Sequence, residues 1–155
     1  MSLSERQTRS RQCWRAPPAD MAKINFDGAA FSSENKSSIR VVIRDSSSFV
    51  IASCSKKLQQ AYSSAEVEAL AAATALSFAD DIGINRAILE GYSLEVITAL
   101  SKDAPILSSF GPWIDDAKVY SNCFFKLQYS HTRRECNNVA HNLARYAMDI
   151  PDFIV

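Results

Sequence analysis

Two carboxylates stand out by their surroundings. Asp27 closes the alternating run Lys23-Ile24-Asn25-Phe26-Asp27 directly before Gly28, where a strand holds a side chain rigidly yet lets it reach solvent. The same place suits an ordinary turn-forming aspartate. Glu68 lies in an alanine-rich stretch in which the residues three, four, seven and eight positions on are Ala71, Ala72, Ala75 and Leu76. It therefore occupies the small-residue side by which a helix comes close to a sheet. A carboxylate there is costly unless hydrogen bonds, a cation or a metal neutralise it. The neighbouring Glu66 supplies the plain alternative, an acid tolerated at a helix N-terminus for the sake of the dipole.

His131 and His141 stand ten residues apart, and Tyr92 follows Gly91. The plain reading makes the histidines surface or half-buried residues and Tyr92 a packing aromatic. Between residues 118 and 147, Lys118, Lys126, Arg133, Arg134 and Arg145 face only Glu135, while the middle of the chain is acidic. A basic C-terminal edge beside an acidic centre suits phosphate contacts around a carboxylate site, and equally an ordinary solvated surface. The net charge is zero, which excludes nucleic acid binding by overwhelming charge alone. Cys13, Cys54, Cys123 and Cys136 form no CxxC pair, and with the two histidines they match no zinc finger or ribbon; they read as free thiols of a reducing compartment.

The elements that must position these groups follow from periodicity. Residues 23–27 read as a strand ending at Gly28, and residues 39–44 and 49–54 as two more strands joined at Asp45-Ser46-Ser47-Ser48, so three antiparallel strands open the sheet. From Ser64 an alanine-rich run without Gly or Pro predicts a helix of about 16 residues, ended by Gly83. Residues 86–90 predict a fourth strand, 93–100 a short helix capped by Ser93, and 101–111 a loop. A helix over 112–120 with Pro112 in its first turn, a fifth strand over 124–131, and a last helix from Asn137 or Asn138 to about Met148 complete the order. The pattern predicts an α/β domain with a mixed five-stranded sheet, three antiparallel strands then two parallel, flanked by helices on both faces.

A chain of 155 residues, 47% hydrophobic and 22% charged, has the composition of one globular domain. The expected division is a polar, flexible extension over 1–20, the domain over 21–150 and a tail over 151–155. The arginine-rich start lacks the apolar core of a secretory signal, and no apolar run approaches the roughly 18 to 20 residues that span a bilayer. An intracellular protein of nucleus or cytoplasm is expected, with organelle import left open.

Five blocks carry a resemblance: KINFDGA from Lys23, VVIRD from Val41, AEVEALAAATAL from Ala65, ILE..SLEVITAL from Ile88 and H.RRECNNVAHNLAR from His131. In order and spacing they resemble the plant reverse-transcriptase-like branch of the type 1 ribonuclease H family, over roughly residues 14–148. The lead-in WRAPPADMAKINFDG is similar to the segment before the domain in retrotransposon-derived plant proteins. The resemblance implies a ribonuclease H-like fold and, in active members, cleavage of the RNA strand of RNA·DNA hybrids by four carboxylates holding two Mg²⁺ or Mn²⁺ ions. One ion activates water and the other stabilises the leaving oxygen.

Residue by residue, the resemblance places Asp27, Glu68 and His131 in family positions, with Asp27 and Glu68 facing each other closely enough to share a cation. Tyr92, in LEGYS, falls where relatives have an aspartate, and His141, in VAHNLA, where they have another. His141 could still be a soft third ligand, but a phenol is a poor Mg²⁺ ligand. Glu90, about 6.6 Å back along its strand, does not fill the vacancy. Lys36-Ser37-Ser38-Ile39-Arg40 replaces glycines that let relatives approach a nucleic acid backbone. The implied catalytic set is thus Asp27, Glu68, His131 and His141; the metal ligands Asp27, Glu68 and His141; and the phosphate contacts Lys126, Arg133, Arg134 and Arg145. Weak binding of RNA·DNA hybrid or structured RNA without efficient cleavage is the leading expectation. An active hybrid ribonuclease is one alternative. The other is an inactive domain that binds a protein through an apolar patch drawn from Trp14, Phe110, Trp113 and Phe153.

Overall fold

The computed structural model describes residues 15–102 and 109–133. The expected last helix, with Arg134, His141 and Arg145, and the tail lie outside the described residues, as do Trp14 and Phe153. Five strands, β1 (Ala22–Phe31), β2 (Lys36–Arg44), β3 (Val50–Leu58), β4 (Arg86–Gly91) and β5 (Lys126–His131), form one sheet in the order β3-β2-β1-β4-β5. β1, β2 and β3 are antiparallel neighbours, and β4 and β5 continue the sheet in parallel with β1. Among the described residues three α-helices accompany them: α1 (Ser64–Asp81), α2 (Leu94–Ser101) and α3 (Gly111–Ser121).

β3 to β4 and β4 to β5 are connections between parallel strands that step the same way across the sheet. Right-handed crossovers therefore put α1, α2 and α3 on one face, and their mutual contacts agree. The expectation of helices on both faces rests on the last helix alone.

The first strand does not stop at Gly28. It runs on to Phe31 because β2 starts at Lys36 and pairs Ala29 with Ser38 and Phe31 with Lys36, so pairing overrides the weak strand preference of the serines. A 3-10 turn over Ser32–Glu34 and Asn35 at φ 51° reverse the chain. Asp27 thus stands inside a strand, flanked by paired residues. β3 likewise extends past the expected end to Leu58.

α1 begins where its sequence says it should. Ser63 accepts from the Glu66 N–H at 3.2 Å while the Glu66 carboxylate accepts from the Ser63 N–H at 3.1 Å, a reciprocal cap that satisfies two otherwise unpaired donors. Gly83, at φ 87°, turns the chain out of the helix in a conformation costly for any residue with a Cβ. Ser93 caps α2 through the Val96 N–H, and Pro112 lies in the first turn of α3.

Strand alternation splits the sheet into unlike faces. Toward the helices point Ile24, Phe26, Ile39, Val41, Ile43, Cys54, Ala87 and Leu89, all fully buried. Alanines 69, 71, 72, 73, 75 and 79 let α1 lie close between this face and α3. Phe110, expected as an exposed aromatic, is buried, because the turn before α3 folds it into the core. Burial pushes the Cys54 thiol up to about 11, so it behaves as an apolar core residue.

Gly91 marks the tightest packing beside the sheet centre: a Cβ there would lie 2.5 Å from Cζ of Phe26. Gly91→Ala is expected to destabilise the domain by about 1–3 kcal/mol. The added substitution Phe26→Leu should recover part of that loss in urea melts. Unchanged stability in the single variant would contradict this packing.

Candidate functional site

β1 and β4 pair from Ala22 with Ala87 to Asn25 with Glu90. Extending that register by two residues sets Asp27 level with Tyr92, and His131 ends β5 opposite Gly91. Tyr92 and His131 therefore stand at the carboxyl ends of β4 and β5, where open α/β sheets place their ligands, and Asp27 lies level with them inside the longer β1. Glu68 arrives from the first turns of α1.

The two carboxylates meet at one backbone donor. The Gly28 N–H lies 2.9 Å from Asp27 Oδ1 and 2.8 Å from Glu68 Oε1, so the two oxygens are no farther apart than those lengths laid end to end. Gly28 permits this because a Cβ would meet Val67 Cγ2 at 2.9 Å and the Val67 carbonyl at 3.0 Å. Asp27 is completely buried and Glu68 nearly so, and Glu68 Oε2 has no hydrogen-bond partner. Burial, then the charge and hydrogen bond of Asp27, raise Glu68 well above the ordinary carboxylate range; the Gly28 N–H and the Tyr92 hydroxyl oppose them.

His131 is exposed, and its Nε2 lies 2.9 Å from the Tyr92 carbonyl oxygen. A carbonyl only accepts, so Nε2 carries the proton in that contact and Nδ1 is left to other partners. Arg133, two residues on, is exposed at the same end of the sheet. Lys126 is not: it opens β5, about 16 Å from His131 along the strand. Of the basic residues grouped by sequence, Lys126 and Arg133 thus stand at opposite ends of β5.

Sequence reasoning missed the polar face behind the site. Lys23 Nζ donates to the Arg15 carbonyl and lies 3.4 Å from Glu90 Oε1, which also accepts from Ser130 Oγ at 3.1 Å. Glu90 Oε2 accepts from Asn25 Nδ2 at 2.9 Å. These bonds hold Glu90 on β1 and β5, away from Asp27, and tie the chain down from Arg15 onward. A cavity of about 440 Å³ beside them is lined by Arg15, Lys23, Glu90, Gln128, Ser130 and His131. Arg40, opposite Asp27 in register, is nine-tenths buried, and burial lowers its pKa. The alternation of Lys23, Asn25 and Asp27 was the available signal, and only the register shows what they face.

Two carboxylates with one unpartnered buried oxygen fit a single divalent cation. Among the described residues no third His, Cys, Asp or Glu joins them. Without a cation the pair is an electrostatic liability.

The family described as reverse transcriptase-like matches residues 25–147. Among solved structures, ribonuclease H1 of the archaeon Halobacterium salinarum is similar at a TM-score of 0.77 and 22% identity, over 83% of this chain and 98% of that one. The N-terminal RNase H domain of a Mycobacterium tuberculosis protein follows at 0.75 and 20%, over 83% and 94%. LC11-RNase H1 in complex with an RNA/DNA hybrid is similar at 0.74 and 19%, over 83% and 96%. These likenesses establish the ribonuclease H-like fold. Among curated proteins no match was found.

Because Glu68 holds its proton to higher pH in the folded protein than in the unfolded chain, its contribution is complete below the unfolded value of about 4.3 and is lost as pH rises through the folded value. In chelator-treated buffer, Glu68→Gln should therefore gain on the parent, by on the order of 1–3 kcal/mol between about pH 4 and 8. Urea midpoints across that range measure it. Parallel curves for the two proteins would contradict the assignment.

Proposed function

The chain belongs to the reverse transcriptase-like family, and from that membership, together with the carboxylate pair at Gly28, we propose that it binds RNA·DNA hybrid or structured RNA weakly and without efficient metal-dependent cleavage. The observation that carries this reading is the composition of the carboxylate cluster, with Asp27 and Glu68 sharing one N–H and a tyrosine level with Asp27. Asp27 and Glu68 would hold a divalent cation, Mg²⁺ or Mn²⁺, with His141 as a further ligand. Such an ion, when bound, activates water and stabilises charge on a phosphodiester.

The residues themselves do the following. Gly28 aims both carboxylates by sharing its N–H, and Tyr92 favours the ionised form of Glu68 without adding charge. His131, oriented by the Tyr92 carbonyl, presents Nδ1 as an acceptor for a donor such as a ribose hydroxyl. Arg133 offers a cation to phosphate at the same end of the sheet, with Arg134 and Arg145 proposed beside it and Lys126 reaching a phosphate farther along the duplex. Two formal negative charges are too few to hold two divalent ions that repel each other at about 4 Å.

The neighbour crystallised with an RNA/DNA hybrid supports the choice of ligand class. The unpartnered Glu68 Oε2 favours a second reading, a slow hybrid ribonuclease working with one ion.

A hybrid-cleavage time course in Mg²⁺ and in Mn²⁺ separates the two. The parent, Tyr92→Asp and His141→Asp should each show little cleavage and the double variant clear activity, the effects failing to add because both positions would serve the same ions. Cleavage by the parent in Mg²⁺ that Asp27→Asn abolishes would overturn the proposal. Binding should weaken steeply with salt, and Arg133→Ala should lower the magnitude of the log–log slope by about 0.9. An affinity indifferent to salt would rule out phosphate contacts as its basis.

A further inference from the structure

β3 ends the sheet, and among the described residues it pairs only with β2. Its outer side presents backbone groups that a further strand can take up. Where it begins, Phe49, Val50 and Ile51 are 70%, 54% and 48% exposed. A run of three consecutive large apolar side chains on a surface calls for a covering partner. A register shift between Ile43 and Arg44 leaves Ile51 without a partner of its own on β2, since Ile43 pairs with Ala52 and Arg44 with Val50. Edge strands are commonly kept single by lysines, but Lys56 and Lys57 stand at the far end and the start carries no charge. Ala52, Ser53, Cys54 and Ser55 between them are small and uncharged.

This distribution selects the occupant. A second copy laid parallel would set Lys56 and Lys57 against the same lysines of its neighbour. Laid antiparallel about Ser53, each copy brings Lys56 and Lys57 to the Phe49 and Val50 of the other. There the lysine stems cover apolar surface, and an ammonium can approach the Phe49 ring. Asp45 is fixed beside Phe49, its Oδ1 accepting from the Ser47 N–H at 2.9 Å and the Phe49 N–H at 3.0 Å, and it supplies a carboxylate for Lys57 of the other copy although Arg44, paired with Val50, stands next to it. An acidic peptide would satisfy the lysines and leave the apolar run bare.

We propose that the β3 edge is a self-association surface on which two copies pair antiparallel over about residues 49–57, joining their sheets into one of ten strands. The arrangement is closed and two-fold, so it stops at the dimer. β2 separates β3 from β1, and the carboxylate pair stays clear of the interface.

Sedimentation velocity on the full chain from about 1 to 100 µM tests it. The parent should show a monomer–dimer equilibrium. Ile51→Lys should weaken the dimer at least about tenfold, and Lys57→Glu should weaken it by setting a carboxylate beside Asp45 of the other copy. Neither side chain belongs to the core, and unchanged melting confirms that both variants fold. Hydrogen exchange should show β3 amides gaining protection at the higher concentration. A monomer throughout, a dimer indifferent to both substitutions, or protection elsewhere would overturn the proposal. So would a monomer whose β3 becomes protected only on adding a polyglutamate peptide, which would assign the edge to an acidic partner.

Discussion

The N–H of Gly28 is held between two carboxylates, and both sides of the molecule are arranged around that contact. It needs α1 to come so near β1 that Val67 takes up the space of a missing side chain, and α1 comes that near because its own buried residues are mostly alanines. Asp27 is reached from a strand and Glu68 from a helix, so the pair registers the relative placement of sheet and helix. Charge enters the same balance. Each carboxylate raises the cost of ionising the other, and one backbone donor compensates only in part.

The sheet meets two kinds of surroundings. On the helix side the interior is apolar and close-packed, down to a phenylalanine ring that leaves no room for a methyl group on Gly91. On the other side Lys23, Asn25, Glu90 and Ser130 form a connected polar group, every link of which crosses from one strand to another or to the segment at Arg15. Removing one member of such a group strands the rest, so its worth lies in completeness. It also holds Glu90 away from the site.

Much of this was legible. Alternation gave the strands, the alanine run gave α1, and Gly83, Ser93 and Pro112 marked helix boundaries by chemistry that acts locally. The small-residue flank around Glu68 was enough to place it against a sheet. Strand lengths were less accessible: Gly28 reads as a stop, and only partners in β2 keep the chain extended through it. The roles of Lys23, Glu90 and Arg40 were hidden for a related reason. Alternation shows that residues share a face, whereas what they touch depends on register between strands far apart in the chain. Lys126 and Arg133 looked like one basic group because sequence distance ignores the length of a strand.

The central position of β1 has a kinetic side. Its antiparallel partner β2 follows after a turn of a few residues, but its parallel partner β4 lies more than sixty residues on, as the Asn25–Glu90 hydrogen bond records. Closing that loop costs entropy before any contact returns it, so the three-stranded meander is favoured to form first, with β4 docking once α1 has been laid down. Until then the inner edge of β1 is open, and that edge carries Lys23, Asn25 and Asp27. A strand that displays polar or charged side chains on alternate residues is a poor template for a stray apolar segment. The polar residues that build the site in the finished protein thereby also guard the chain while it is still folding.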